Sequence, residues 1–216
     1  MPTPPSEHGN TRLILASSSV YRRDLLTRLC LPFDIVVPGV AEQAHSGEAP
    51  AATAARLALE KAFAVARNAP GALIIGSDQV ADLEGEPIGK PGSHENALAQ
   101  LRKMRARTVI FHTAVCLVDT RVAAASDLAP SQALPQTAVV ETMVRFRNLP
   151  DDALDAYLRI EQPYDCAGSA KNEGLGIALI ESCQSKDPTA LTGLPLIALS
   201  GMLYKAGVVF FAAGAA

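Results

Sequence analysis

Residues 72–91 limit the possible folds of this chain more than any other stretch. They open with a short, β-branched apolar run at 73–75, which is typical of a buried strand. Gly76 and Ser77 follow, and side chains this small would let another group approach the backbone closely. Asp78 then lies where we expect the strand to open onto the surface, which is where open α/β folds bind ligands. The stretch predicts an α/β fold with a carboxylate at the end of a buried strand.

A lysine follows in the same stretch, within Gly89-Lys90-Pro91. The proline fixes the backbone beside the ammonium group. A carboxylate at a strand end and a lysine on a stiff loop suit an anionic ligand that carries a metal. The same two residues also fit a helix-capping aspartate and a solvated lysine, so the stretch alone leaves both interpretations open.

Composition and charge exclude several classes of protein. The chain has 216 residues, is 49% hydrophobic and carries a net charge of −3, so it can bury a core and lacks the basic face that long contacts with nucleic acid require. The four scattered cysteines form no C-x-x-C pair and indicate a reduced, cytoplasmic protein. Lys205 and Gly207 interrupt the apolar tail from 194 to 216, which argues against a membrane span and favours a helix followed by a buried strand.

Hydrophobic periodicity divides the chain into alternating strands and helices without an internal repeat or a long linker. Polar, proline-rich residues 1–10 predict a disordered extension, and residues 11–216 predict one domain. Residues 120–136 read as a variable surface loop. The predicted strands are 11–16, 33–37, 73–75, a hairpin return at 87–88, 107–119, 137–147 and 177–180, and the predicted helices are 20–30, 50–68, 93–104, 150–162 and 194–206.

Common catalytic motifs are missing from the sequence. Gly85-x-x-x-Gly89-Lys90 is one residue short of a P-loop, and Pro91 stands where Ser or Thr should hold magnesium. The glycines at 168–176 do not make G-x-G-x-x-G after a strand. Neither a G-x-S-x-G elbow nor an H-E-x-x-H zinc motif occurs.

A set of charged residues lies outside these generic motifs. Ser17, Ser18 and Ser19 precede a helix that has Arg22 in its first turn, where an arginine is favourable only if it helps to hold an anion; a tolerated surface arginine is the alternative. Two carboxylates can hold a magnesium ion that also touches a phosphate, and several cations can neutralise a polyphosphate. The candidates are Arg22, Glu42, Lys61, Asp78, Lys90, Lys171 and Glu173.

Several separated motifs, in order, resemble the Maf family of nucleotide pyrophosphatases over nearly the whole chain. They are Leu15-Ala16-Ser17-Ser18-Ser19-Val20-Tyr21-Arg22-Arg23-Asp24-Leu25-Leu26, Glu60-Lys61-Ala62, Gly76-Ser77-Asp78-Gln79-Val80, Gly89-Lys90-Pro91, Ala167-Gly168 and Gly193-Leu194-Pro195. Two departures from the family pattern are Val20, where the family has proline, and Arg105-Ala106, where it has Ser-Gly. Neither touches the expected chemistry.

Within the family, the chain looks most like the branch that hydrolyses 7-methyl-GTP. Tyr21, Gln79 and Glu173 carry this resemblance, since the dTTP/UTP branch typically has arginine, threonine and glutamine there. A carboxylate suits N7-methylated guanine, because that base is cationic, and Tyr21 could stack on it. The alternatives are a dTTP/UTP or broad-specificity pyrophosphatase and a nucleotide-binding regulator of septum formation.

The resemblance also implies a mechanism and a fold. Water would attack the α-phosphorus and diphosphate would leave, with Asp78 as general base and Glu42 and Asp78 at a divalent metal, Mg²⁺ or Mn²⁺. Ser17, Arg22, Lys61 and Lys90 correspond to the family's substrate-binding positions, and Lys171 is added because it lies beside Glu173. The family has a two-lobed α/β fold, resembling inosine triphosphatases, with an extended mixed sheet flanked by helices and a central cleft. A homodimer is left open.

Overall fold

The computed structural model describes residues 11–121 and 135–211. The predicted extension at 1–10 lies outside these residues, as does nearly all of the loop predicted at 120–136. Within the described residues, no helix is both long enough and apolar enough to cross a bilayer.

Within residues 11–121 and 135–211, a mixed sheet of seven strands organises the chain, in the order β2-β1-β3-β5-β6-β7 with β4 paired to β3. β1 pairs in parallel with β2 and β3, and the other pairs are antiparallel. The predicted α/β class and the mixed sheet are therefore confirmed. The strands are β1 (Arg12–Ala16), β2 (Asp34–Ile35), β3 (Ala72–Leu83), β4 (Glu86–Ile88), β5 (Thr108–Asp119), β6 (Gln136–Phe146) and β7 (Ile180–Ser185).

Helices pack on both faces of the sheet and, in the described part of the chain, form three hydrophobic clusters with it. The alanine-rich α2 packs on one face, against Ile14 and Ile74, whereas α1 and α5 pack on the other, against Leu15 and Ile75. The third cluster joins α3 and α4 to the C-terminal half of β3 and the N-terminal half of β5. The helices are α1 (Val20–Thr27), α2 (Pro50–Ala66), α3 (His94–Met104), α4 (Asp151–Glu161) and α5 (Leu196–Lys205), with two 3-10 turns at Ala167–Ser169 and Leu175–Leu179.

Gly76 sets the distance between β3 and α2. A Cβ atom built at Gly76 would lie 2.1 Å from the carbonyl oxygen of Ala58 and 2.8 Å from the amide nitrogen of Ala62. Any side chain would therefore push the helix away from the strand. The prediction that a group approaches the backbone closely here is confirmed, and that group is the backbone of α2.

The predicted end of the central strand before Asp78 is wrong. β3 continues through Asp78 to Leu83, because β5 pairs with it without a break from Leu73 to Asp82. Asp78 is thus a buried residue in the middle of a strand, with 7% of its surface exposed. The alternation of a strand places Gly76 and Asp78 on the face of α2, and Ser77 and Gln79 on the other face.

Three other predicted strands also differ from the structure. The edge strand β2 has only two residues, both exposed. Residues 177–179 belong to the 3-10 turn Leu175–Leu179, because the turn is tied to α4 by a hydrogen bond from the Leu175 amide to Glu161, and β7 begins only at Ile180. Residues 207–211, where a buried strand was expected after α5, contain no strand, and residues 212–216 lie outside the described part of the chain.

Candidate active site

A cleft of about 1210 Å³ opens beside the middle of β3. Every site residue predicted from the sequence lines it, although these residues come from six separate segments. They are Ser17, Tyr21, Arg22, Glu42, Lys61, Asp78, Gln79, Lys90, Lys171 and Glu173. The structure thus brings the whole predicted set together, while the role of each residue stays a prediction.

Lys61 lies at the centre of the charged part of the cleft. Its Nζ donates to Asp78 Oδ1 at 2.6 Å and to Glu42 Oε1 at 2.5 Å. The Lys61 side chain is only 4% exposed and that of Asp78 only 9%. Burying these charges is tolerated because each has an opposite charge at hydrogen-bond distance.

Glu42 connects this centre to the exposed Lys90. Lys90 Nζ lies 3.3 Å from Glu42 Oε2. Burial raises the pKa of Glu42, but the hydrogen bond and charge of Lys61, together with Lys90, outweigh it and bring the pKa below its ordinary value. Glu42 is therefore ionised at neutral pH.

Arg22 adds a third cation. Its Nε donates to the carbonyl oxygen of Gly193 at 2.8 Å. Burial lowers the pKa of Arg22, against the opposing effect of Asp78 and Glu42. Arg22, Glu42, Lys61, Asp78 and Lys90 are called the ion-pair cluster below.

The turn before α1 completes the wall beside the ion-pair cluster. Ser19 caps the helix by accepting from the Arg22 amide, and Ser17 Oγ accepts from the Ser19 amide. These two contacts order the turn, so that the N-terminus of α1 and the buried Ser17 line the cleft. A helix N-terminus beside an arginine is suited to an anion.

The two carboxylates of the ion-pair cluster suit a divalent cation that prefers oxygen ligands. Glu42 and Asp78 bind the same Lys61 Nζ, so their carboxylates face the same small volume. Among the described residues, His, Cys, Asp and Glu form no group of three or more that could enclose a metal ion. Two carboxylates with an open side suit a Mg²⁺ or Mn²⁺ ion that takes its other ligands from phosphates and water.

Gln79 makes contacts that the sequence did not indicate. Its Nε2 lies within donating distance of Thr113 Oγ1 at 2.9 Å and of the carbonyl oxygens of Ala190 and Leu191 at 3.0 and 2.9 Å. The nearby Ser77 hydroxyl contacts the carbonyl oxygen of Gly193 at 2.9 Å. Gln79 and Ser77 therefore hold residues 190–193, a loop that lines the cleft.

The second charged part of the cleft is acidic, and we call it the acidic wall. It consists of Tyr21, Asp165, Cys166 and Glu173, which are close enough to influence one another's ionisation. Partial burial raises the pKa of Glu173, and hydrogen bonds, including one with Thr192, oppose this. Burial is also the main cause that raises the pKa of Tyr21, and it raises that of the Cys166 thiol to about 12, so both are neutral at pH 7.

Lys171, which lies beside the acidic wall, is paired with a carboxylate outside it. Its Nζ lies 2.7 Å from Glu161 Oε1. The hydrogen bond that Lys171 donates to Glu161 raises the pKa of Lys171, and that same contact is the main reason that the pKa of Glu161 is lowered. The charge of Lys171 is thus compensated by a carboxylate outside the cleft.

Several residues that shape the cleft were missed in the sequence. Glu161 and Tyr157 lie four positions apart on α4, on a face that looked only apolar in sequence. Arg56 and Glu48 hold the segment that carries Glu42, through contacts of 2.7 Å with each other and a 2.9 Å bond from Arg56 to the Gln43 carbonyl oxygen. Spacing on α4 and α2 could have suggested the helix residues, but nothing in the sequence pointed to their loop partners.

Comparison with known proteins identifies the relatives of this chain. The family described as Maf-like protein matches residues 12–206. The 7-methyl-GTP pyrophosphatase of Cupriavidus pinatubonensis is 56% identical over 202 residues, covering 94% of this chain and 96% of the relative. The protein of the same name from Burkholderia lata is 59% identical over 204 residues, covering 93% and 92%. A crystal structure of a dITP/XTP pyrophosphatase from Mycobacterium abscessus is similar at 14% identity, with a TM-score of 0.41, 92% of this chain and 98% of that chain being covered.

Proposed function

Because this chain belongs to the Maf family, we propose that it is a nucleotide pyrophosphatase that hydrolyses 7-methyl-GTP to 7-methyl-GMP and diphosphate. Relatives that carry this activity in their names are more than half identical to it over nearly their full length. The chemistry of the cleft gives an independent reason for the choice of this nucleotide.

The proposal rests mainly on the separation of charge in the cleft, between a positively charged ion-pair cluster and a negatively charged acidic wall. The ion-pair cluster contains three cations and two carboxylates, so it has positive charge left for a phosphate chain. The acidic wall contains two carboxylates, Asp165 and Glu173, and its neighbouring cation, Lys171, is paired with Glu161. A nucleotide with a cationic base and an anionic triphosphate matches this division. GTP, UTP and dTTP have neutral bases and match only the first part.

Asp78 is the base in the proposed reaction. Lys61 binds its Oδ1, which leaves Oδ2 to accept a proton from the attacking water. Lys61 also fixes the direction of the carboxylate, because the helix that carries Lys61 packs closely against β3 at Gly76. The oxygen of the water then bonds to the α-phosphorus, and the bond from this phosphorus to the diphosphate oxygen breaks.

The proposed ligands of a divalent metal, Mg²⁺ or Mn²⁺, are Glu42 and Asp78. The ion would supply positive charge to the phosphate oxygens as the leaving group departs. Arg22 and Lys90 bind the phosphate chain from the protein side, together with Ser17 at the N-terminus of α1.

Recognition of the base is assigned to the acidic wall. Tyr21 offers an aromatic face for a cationic ring. Glu173 can accept hydrogen bonds from N1 and N2 of the guanine, and such bonds to a charged acceptor are stronger than those between neutral groups. Gln79 acts indirectly, by holding the loop that carries Thr192 next to Glu173.

We further propose that residues 11–216 act as one domain whose two lobes share the sheet, and that the protein removes modified nucleotides in the cytoplasm. The net charge of −3 makes a nucleic-acid substrate unfavourable compared with a free nucleotide.

Diphosphate release from a panel of nucleotides tests the proposal. The panel contains 7-methyl-GTP, GTP, UTP, CTP and dTTP, each assayed with Mg²⁺ and with Mn²⁺. We expect kcat/KM for 7-methyl-GTP to exceed that for GTP at least about tenfold, the effect of one charge-assisted contact. Preference for UTP or dTTP would contradict the base assignment and keep the pyrophosphatase, whereas binding without release of diphosphate would favour the regulator of septum formation.

A further inference from the structure

We propose that Glu161 is a positioning residue for base selectivity: it fixes the turn from which Glu173 reaches the cleft. The inference rests on the proposed function, because it concerns how Glu173 recognises a cationic base. Glu161 does not line the cleft, and its side chain is 13% exposed. It lies at the C-terminal end of α4, behind the turn that contains Glu173.

The two oxygens of Glu161 hold the turn on both sides of Glu173. Oε1 pairs with Lys171 Nζ at 2.7 Å, two residues before Glu173. Oε2 accepts from the Leu175 amide at 2.7 Å, two residues after it. One carboxylate therefore fixes both ends of a five-residue turn, and Glu173 is the residue in its middle.

Gly174 shows how closely the turn fits against this carboxylate. A Cβ atom built at Gly174 would lie 2.6 and 2.8 Å from the two oxygens of Glu161. The backbone of the turn thus lies directly on the carboxylate, and a side chain at 174 would separate them. Glu161 therefore holds the turn by close packing against its backbone as well as by its ion pair with Lys171.

Tyr157 supports the same segment one helical turn earlier. Its hydroxyl accepts from the Lys171 amide at 3.1 Å and donates to the Ser169 carbonyl oxygen at 3.2 Å. Tyr157 and Glu161 are four residues apart, so they share one face of α4. The turn is therefore attached to a helix that packs in the core through Leu154 and Leu158.

A fixed turn matters because Glu173 is itself exposed. A side chain on a mobile turn must be ordered when the base binds, and this ordering weakens binding. The loss falls on binding of the base and not on the reaction at phosphorus, since Glu161 touches no residue of the ion-pair cluster within the described chain. Loss of Glu161 should therefore raise KM and leave kcat close to that of the wild type.

The experiment compares Glu161→Ala and Glu161→Gln with the wild type, with Glu173→Gln and with Arg159→Ala. Arg159 is a matched control, because it is on the same helix, 71% exposed and paired with Asp155. Steady-state kinetics on 7-methyl-GTP and GTP are combined with calorimetric binding of 7-methyl-GMP and GMP, which need no turnover.

For Glu161→Ala, we expect KM for 7-methyl-GTP and Kd for 7-methyl-GMP to rise about tenfold, as for loss of hydrogen bonds to a charged group. kcat should stay within about twofold, and the KM for GTP and Kd for GMP should rise less than those of the methylated nucleotides, because the hydrogen bonds from a neutral guanine to the carboxylate are weaker. The selectivity loss should resemble that of Glu173→Gln, and Arg159→Ala should behave as the wild type. Glu161→Gln should show a smaller rise, because its amide oxygen can still accept from Leu175. An unchanged KM, or an equal loss on both nucleotides with a lower kcat, would overturn the role of Glu161.

A second pair of variants separates the packed contact from general damage. Gly174→Ala should lose selectivity as Glu161→Ala does, and the double variant should be no worse than either single one, because both break the same contact. If the double variant lost selectivity by the product of the two single losses, the proposal would be contradicted.

Failure of the proposed function is recognised separately. A wild type without preference for 7-methyl-GTP overturns that function whatever the variants do. Hydrogen exchange then tests whether Glu161 fixes the turn. Exchange must become faster at the amides of residues 174–176 in Glu161→Ala and remain unchanged in Arg159→Ala.

Discussion

The ion-pair cluster and the acidic wall line the same cleft, but they are built in opposite ways. The central charges of the cluster, Lys61 and Asp78, are almost fully buried and lie on α2 and β3. They compensate each other at 2.6 Å. The acidic wall draws Asp165 and Glu173 from a segment that follows α4, and Glu173 is exposed. The central charges of the cluster satisfy each other, whereas the carboxylates of the acidic wall are left to contact a ligand.

The difference teaches where each kind of change should act. A buried, mutually compensated group is tied to the packing of the sheet, so altering it should affect both the reaction and the stability of the fold. A loop held by a few hydrogen bonds can change its selectivity while the sheet stays intact. The following variants test this division.

Replacing Asp78 should have the largest effect. Asp78→Asn keeps the shape of the side chain but removes the proposed base, so we expect kcat to fall by about 10²–10⁴-fold, the usual contribution of a general base. Asp82→Asn is the matched control, because Asp82 lies on the same face of β3 outside the cleft and pairs with His112. Steady-state diphosphate release and circular dichroism measure activity and fold. Activity near that of the wild type in Asp78→Asn would remove Asp78 as the base.

Lys61→Met should show that the ion-pair cluster also carries stability. The variant leaves the buried Asp78 facing Glu42 without the ammonium between them, and removing one partner of a buried pair costs about 3 kcal/mol or more in the free energy of unfolding. Lys103→Met removes an exposed partner of Glu86 and should change the free energy of unfolding far less, because solvent screens that pair. Urea unfolding at pH 7 measures both. Equal losses in the two variants would mean that burial of the Lys61 pair is not what stabilises it.

Long elements were predictable from the sequence because each has a clear period. α2 was expected at 50–68 and spans Pro50–Ala66, and β5 was expected at 107–119 and spans Thr108–Asp119. Short elements at the edges, such as β2, depend on pairing with neighbours and not on their own pattern. The 3-10 turn at Leu175–Leu179 was missed for a similar reason, since its partner Glu161 is on another element.

The position of Asp78 in mid-strand could not be predicted from local pattern. A polar residue after an apolar run resembles a strand end, because a buried carboxylate is costly without a partner. That partner is Lys61, seventeen residues earlier in the chain. The set of cleft residues was predicted through the family resemblance, but the contacts of Gln79 and Lys171 were not, since they depend on loops that only the folded chain brings close.

Glu173→Gln should change selectivity and leave the ion-pair cluster intact. Loss of the carboxylate should reduce the preference for 7-methyl-GTP over GTP by about tenfold, with little change in the kcat on GTP. Because partial burial raises the pKa of Glu173, acidification should protonate it at a pH above the ordinary value for glutamate, so the wild-type preference should decline as the pH falls through that range. Kinetics on both nucleotides between pH 5 and 8 provide the test. A pH-independent preference, or equal losses on both nucleotides in Glu173→Gln, would contradict the role of Glu173.

Arg56→Ala should have the smallest effect, and it tests whether the segment carrying Glu42 behaves as part of the ion-pair cluster or as a loop of the second kind. The hydrogen bonds of Arg56, followed by that of the His45 amide, lower the pKa of Glu48 to about 2. A lowered folded-state pKa stabilises the fold above the ordinary glutamate value, and this stabilisation is lost as the pH falls toward 2. The wild type should therefore lose stability across that window, and Arg56→Ala should lose less, because the largest cause that lowers the pKa of Glu48 is then gone. Thermal unfolding from pH 2.5 to 7 measures how stability changes with pH in each variant, with the exposed Arg67→Ala as control.

At pH 7 Arg56→Ala should lower kcat only a few-fold, since Lys61 still holds Glu42 directly. A loss as large as that of Asp78→Asn would mean that the ion-pair cluster depends on the loop contacts of Arg56 as much as on its own buried pair.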